Sequence, residues 1–191
     1  MRAIWHRLLA SITRFGRRQD AAAAVEFALI LPIMLLVYVG SVEASALISM
    51  DRRVQSVSGA MGDLVARADK TITATTLTDY FTASAGIMTP YPSDDLQQIV
   101  TQVLVDNAGV AKVVWSKQYI ASRYATGTKY LFNATYPLPA EMAAIAKGKY
   151  VIVAEASYNY LPLYGIVFEQ AVPLRRDSFF MPRFGGSIAV N

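Results

Sequence analysis

The sequence predicts an α+β fold: a long N-terminal transmembrane helix extending into a mainly antiparallel sheet domain with short helices. Three observations predict it. Residues 21–50 are apolar almost throughout and follow a cluster of arginines. From Asp51 the apolar positions recur at three- and four-residue steps. Beyond Pro92 the pattern changes to short runs rich in valine, isoleucine and aromatic residues, separated by turn signals.

Residues 1–21 form a basic leader. Within residues 1–20, five arginines face only Asp20, which accounts for the whole net charge of +4. The remainder is balanced, so the chain has no basic face of the kind a nucleic-acid partner requires. Under the positive-inside rule the arginines place the leader in the cytoplasm and the C-terminal domain across the membrane.

Residues 22–50 are predicted as the transmembrane helix. Glu26 is its anomaly. Between Glu26 and Glu43 lie sixteen uncharged residues, Phe27 to Val42, or about 24 Å of helix, against a hydrocarbon core of about 30 Å. Any twenty-residue span inside 21–50 therefore includes an acid, and intramembrane acids tend to mark function. One account is a carboxylate at the lipid edge, favoured by the helix dipole. The other is a partner in assembly. Pro32 removes one backbone donor and leaves the carbonyl of Ala28 without its usual partner, which membrane helices tolerate. Gly40, with Ser41, Ala44 and Ser45, permits close helix packing in lipid, though an ordinary tolerant span has such residues too.

Residues 51–191 are predicted as the periplasmic domain. The stripe Val54, Val57, Met61, Leu64, Val65 and Ala68 continues the helix to about Asp69, with Gly59 and Gly62 weakening it. Thr76–Met88 is a second, short helix, ended by Pro90 and Pro92. Strands follow at Leu96–Val105 and Val110–Tyr119, joined by a hairpin turn at Asp106-Asn107-Ala108-Gly109. Tyr130–Tyr136 is a further strand. Pro139–Lys147 is a short helix with Gly148 at its end. Tyr150–Tyr160 is the clearest strand, and Ala171–Phe180 pairs with it across the Pro162–Gly165 turn and residues 166–170.

Catalytic chemistry is sparse. The chain has no cysteine and one histidine, His6 in the leader, so the exported domain lacks thiol, imidazole and the usual zinc chemistry. Asp94-Asp95 beside Ser93 could offer oxygen ligands to a hard cation but is better explained as a solvated turn or helix start. Gly127-Thr128-Lys129 is a fragment of a phosphate loop. Asn133-Ala134-Thr135 matches a glycosylation acceptor that matters only in a eukaryotic secretory context. Tyr158, Tyr160 and Tyr164 crowd one region, as interface residues or as ordinary strand residues. No catalytic residue, metal ligand or cofactor is predicted, and the expectation is a protein that is not an enzyme.

The stretch Arg17-Arg18-Gln19-Asp20-Ala21-Ala22-Ala23-Ala24-Val25-Glu26-Phe27-Ala28-Leu29-Ile30-Leu31-Pro32 resembles the N-terminus of TadE-like pilus assembly proteins, pseudopilins of the tight-adherence (Flp, type IVc) pilus. The resemblance is specific over about residues 14–50; over 51–191 it is one of layout. It implies a pilin-like architecture, an inner-membrane location and a structural role in assembling, priming or anchoring a pilus. It also implies partners: other pilin or pseudopilin subunits, Tad assembly-platform proteins and a prepilin-type peptidase. Mapped here, the cut falls between Ala21 and Ala22, making Glu26 the fifth mature residue. The family pattern has glycine before the cut, where this chain has Ala21. Two other readings stay open. One is an uncleaved single-pass anchor for a binding or sensor domain. The other is a secreted protein cut after Ala44-Ser45-Ala46.

Overall fold

The computed structural model describes residues 19–120, 123–125, 130–162, 165 and 169–191, with backbone only for 19–21. The leader arginines, His6, Tyr164, Gly127-Thr128-Lys129 and parts of the loop before β6 lie outside the described residues. The chain divides into two compact units, residues 1–45 and 46–191.

Helix α1 (Gln19–Ala66) runs through both units without a break, Pro32 included. Its continuity past Gly59 and Gly62 has a packing reason. A Cβ at Gly62 would come within 2.5 Å of the Phe180 ring and 3.1 Å of the Ala154 Cβ. Glycine there lets the helix approach the sheet closely, and burial of the neighbouring stripe offsets its poor helix propensity.

After α1, strand β1 (Thr71–Ile72) leads into α2 (Ala74–Ala85). This helix starts two residues before the predicted Thr76, because the Thr73 hydroxyl accepts the Thr76 N–H at 3.1 Å and acts as the N-cap. A short 3₁₀ turn, Gly86–Met88, ends it. Arg53 of α1 ties down the loop beyond, donating to the carbonyls of Ile87 (2.9 Å) and Thr89 (2.8 Å).

Strands β2 (Gln97–Val105), β3 (Ala111–Ile120), β4 (Arg123–Ala125), β5 (Tyr150–Tyr160) and β6 (Val172–Phe180) form one antiparallel sheet in the order β4-β3-β2-β5-β6. The β2–β3 hairpin is the one the sequence predicts. Gly109 takes φ +88°, and the Asp106 carboxylate accepts the Val110 N–H at 2.8 Å. A bulge lies opposite Gln102 and Val103. Between β4 and β5 stands α3 (Ala140–Ile145), started by Pro139. Gly148, at φ +71°, turns the chain into β5.

Tyr130–Tyr136 is not a strand. The Leu131 carbonyl accepts the Ala134 N–H, and Asn133 sits in the left-handed region at φ 61°. Its backbone bonds go to Val113 and Ala111, with one isolated bridge between Lys112 and Thr135. A turn asparagine has displaced an aromatic-rich strand pattern. Three short strands have no counterpart in the sequence analysis: β1, β4 and β7 (Ala189–Val190), of which β7 pairs parallel with β1. The C-terminal stretch is held further by Trp115, whose Nε1 donates to the Ile188 carbonyl at 2.6 Å, and by the Gln102 side-chain carbonyl, which accepts the Ile188 N–H at 2.9 Å.

Alternation along β5 sorts the core into two faces. Ile152, Ala154, Ala156, Tyr158 and Tyr160 pack with the part of α1 from Ala46 onward and with α2. Val151 and Val153 pack with Tyr136, Ala146 and the β2–β3 hairpin.

Candidate functional site

Within residues 1–45, every residue from Ala22 to Tyr38 is exposed. The exposure falls on large apolar side chains: Leu29 is 70% exposed, Ile33 65% and Val37 63%. A helix apolar on all sides is suited to lipid or to the interior of an assembly, since water would otherwise be in contact with the whole surface. By length and composition, α1 can cross a membrane.

The residues singled out in the sequence lie in order along this helix. Ala21 and Ala22 are in its first turn, where several backbone N–H groups lack intrahelical partners. Glu26 is exposed four positions on, about 6 Å along the axis. Gly40 is half-buried. Beside it, Ser41 donates to the Tyr38 carbonyl at 2.7 Å, and Ser45 to the Ser41 carbonyl at 2.8 Å. Each hydroxyl is thus satisfied within the helix, so this small-residue stretch presents little unmet polarity to an apolar neighbour. Glu43, the second acid of the sequence pattern, is buried.

In residues 46–191 the structure assembles a polar cluster that sequence reasoning missed. Glu155, only 5% exposed, accepts from the Tyr136 hydroxyl at 2.8 Å and from Arg175 Nη2 at 2.8 Å. Arg175 Nε also donates to Asp177 at 3.3 Å. Burial, and then the Glu155 charge, hold the Tyr136 hydroxyl far above the usual phenol range. A cleft of about 110 Å³ adjoins the cluster, lined by Gln97, Ile99, Glu155, Ser157 and Arg175. The carboxylate is occupied by a cation and a phenol, an arrangement that clamps the segment bearing Tyr136 onto β5 and β6. The signal was hidden because Glu155 stands inside the apolar alternation of β5, and its partners come from distant segments. Asp94 and Asp95 are exposed. Among the described residues no group of three or more metal-ligating side chains comes together.

Residues 21–60 match the family model described as TadE-like protein. Over that stretch the chain is similar to TadE-like proteins. Ala21, Ala22, Glu26, Pro32 and Gly40 all fall inside the matched stretch. The TadE-like stretch also runs ten residues past Met50, taking in Val54 and Val57, which are fully buried in the unit formed by residues 46–191. It therefore includes both the exposed apolar part of α1 and the start of its buried stripe. No match was found among curated proteins or among solved structures.

Proposed function

We propose that this protein is a minor pilin or pseudopilin that assembles, primes or anchors a Tad-type (type IVc) pilus, without enzymatic activity. The observation that carries the proposal is the TadE-like stretch itself, with Glu26 exposed at the head of a sixteen-residue apolar run. In this reading α1 spans the bacterial inner membrane once. The leader is cytoplasmic and residues 51–191 are periplasmic.

A prepilin-type peptidase cuts between Ala21 and Ala22. The new amine at Ala22 is a cation placed to pair with the Glu26 of a neighbouring subunit, and such a buried pair sets axial register more than it adds stability. Pro32 and Gly40 shape the helix surface on which other subunits and the Tad assembly platform pack. Ala21 in place of glycine favours one second reading, an uncleaved single-pass anchor presenting a periplasmic binding or sensor domain. Secretion after Ala46 fits poorly, because Ala46 and Leu47 pack within α1 against the core.

Two measurements test this. The mature N-terminus in native membranes is expected to be Ala22; an intact leader would favour the anchor, and Leu47 would establish secretion. Glu26→Ala is expected to leave membrane insertion intact and to reduce pilus assembly by about tenfold or more, the scale of losing a buried charge pair. Normal piliation in that variant would sink the register role.

A further inference from the structure

Leu131 and Phe132 are neighbours on the turn that replaces the expected strand at Tyr130–Tyr136, and they are 71% and 80% exposed. A turn of this kind is ordinarily polar. This one is also held firmly. The Asn133 N–H donates to the Val113 carbonyl at 2.8 Å, and the Val113 N–H to the Ala134 carbonyl at 2.9 Å. Tyr130 and Tyr136 close the base of the turn with ring centroids 4.8 Å apart, and the Tyr136 hydroxyl is tied to buried Glu155. The Glu155 cluster thus fixes in place an apolar tip that this chain leaves uncovered.

The register of the sheet locates the tip. Val113 lies opposite Val103, Val103 opposite Val151, and Phe180, the residue before Met181, opposite Ile152. The cross-sheet row that starts beside the tip therefore ends at Met181, just past β6. From β3 through β2 and β5 to β6 is about 14 Å at the usual strand spacing. At that far end a cleft of about 270 Å³ opens, lined by Lys149, Tyr150, Met181, Pro182 and Gly185. About 150 Å³ is enough to hold a benzene-sized ring, and a methionine sulfur beside an aromatic ring makes a favourable contact.

We propose that Leu131 and Phe132 of one subunit dock in the cleft at Tyr150, Met181 and Pro182 of a second copy of this chain, a head-to-tail contact between neighbouring sheet domains. The proposal rests on the reading of the protein as a pilus subunit. A shift along the row carries the tip of one copy to the cleft of the next and keeps residues 46–66 of α1 parallel from copy to copy. Tip and cleft are different surfaces, so the contact does not close as a two-fold pair does, and open contacts of this kind build filaments. The area involved points to a tethered occupant. A buried phenylalanine covers about 150–250 Å², whereas a free-standing interface takes about 800 Å² from each partner. The tip is too small to recruit a free protein. It acts between subunits already held close, where effective concentration is high, and in the proposed function α1 supplies that tether.

The chain has no cysteine, so disulfide formation in native membranes tests the contact in the full-length protein. Leu131→Cys and Lys149→Cys are exposed positions, one on the tip and one on the cleft, and both leave Phe132 in place. Within one chain the two stand too far apart to join, since a disulfide needs Cα atoms within about 7 Å. The doubly substituted chain, treated with a membrane-permeant oxidant, is expected to give a ladder of dimers, trimers and higher species, while each single variant stays monomeric. Adding Phe132→Ala should weaken the ladder about fivefold or more, as loss of an aromatic anchor does. Dimers from a single variant, with no ladder from the pair, overturn the head-to-tail contact. Single cysteines placed in turn at Met34, Leu35, Leu36 and Val37, one turn of α1, report association through the helix separately. Crosslinks there without a ladder overturn the docking contact and leave the pilus reading standing. No crosslink at any of these positions overturns the docking contact and self-assembly of this chain together.

Discussion

Between Ala22 and Tyr38 every residue of α1 is exposed, whereas between Met50 and Ala66 the same helix buries Met50, Val54, Val57, Met61 and Val65 and turns Arg52, Gln55 and Ser56 to solvent. The first part is apolar all round and finds no cover in its own unit. The second is a stripe that finds its cover in the sheet. A uniformly apolar helix has no preferred face until something outside it supplies one, while an amphipathic helix carries its docking direction in the spacing of its residues. The TadE-like match spans both parts, so the matched sequence holds both a stretch left uncovered in its own unit and a stretch that folds onto the sheet.

The largest test of that contrast is one substitution made twice. Phe81 of α2 is fully buried and stacks on Tyr119 with ring centroids 5.4 Å apart. Phe81→Ala is expected to cost about 3–5 kcal/mol of unfolding free energy, the usual price of emptying a buried phenylalanine site. Phe27 is 59% exposed, and Phe27→Ala should change the same transition by less than about 0.5 kcal/mol. Chemical unfolding of the full chain in micelles, followed by near-UV circular dichroism, reads both. Comparable losses would mean that the apolar part of α1 contributes to the fold of the sheet domain.

A second pair concerns glycines. Gly62→Leu drives a side chain into the Phe180 ring and the Ala154 methyl, and overpacking of this kind costs about 1–3 kcal/mol. Gly40→Leu is expected to leave that unfolding transition unchanged while weakening association of the helices in lipid, measured by crosslinking in membranes. If Gly40→Leu lowers the unfolding midpoint instead, Gly40 serves the fold and its assembly role is lost.

How much of this was legible in the sequence follows from where each instruction resides. Tyr150–Tyr160 was readable to the residue because alternation is local. The unbroken run of α1 was readable from its stripe, but the need for glycine at position 62 was not, since it depends on Phe180 on the far edge strand. Tyr130–Tyr136 looked like a strand by composition, and a single asparagine at φ 61° made it a turn. The parallel β1–β7 pair has two residues on each side and leaves no periodicity to detect. At the candidate site, Glu26 stood out because a charge in an apolar run is a local anomaly. Glu155 did not, because its meaning lies in Arg175 and Tyr136, which only the fold brings to it.

The smallest expected effect is electrostatic and divides the two parts of α1 by pH. Asp63, in the buried-stripe part, accepts from Arg67 one turn on and from Arg183 Nη2 at 2.7 Å. The hydrogen bond from Arg67, and then that from Arg183, hold its carboxyl below the usual carboxylate range. A carboxylate depressed in the folded state adds stability that is present above its unfolded pKa, about 3.9, and is lost as pH falls through the folded value. The gap in unfolding midpoint between the parent chain and Asp63→Asn should therefore hold steady from about pH 8 to pH 5 and close below about pH 4. Glu26→Gln should leave the midpoint unchanged at every pH, because the exposed part of α1 has no share in that transition. A gap for Asp63→Asn that persists undiminished in acid would show that the residue acts through shape and not through charge, and would leave Arg183 tied to α1 only by its backbone bond to the Ala66 carbonyl.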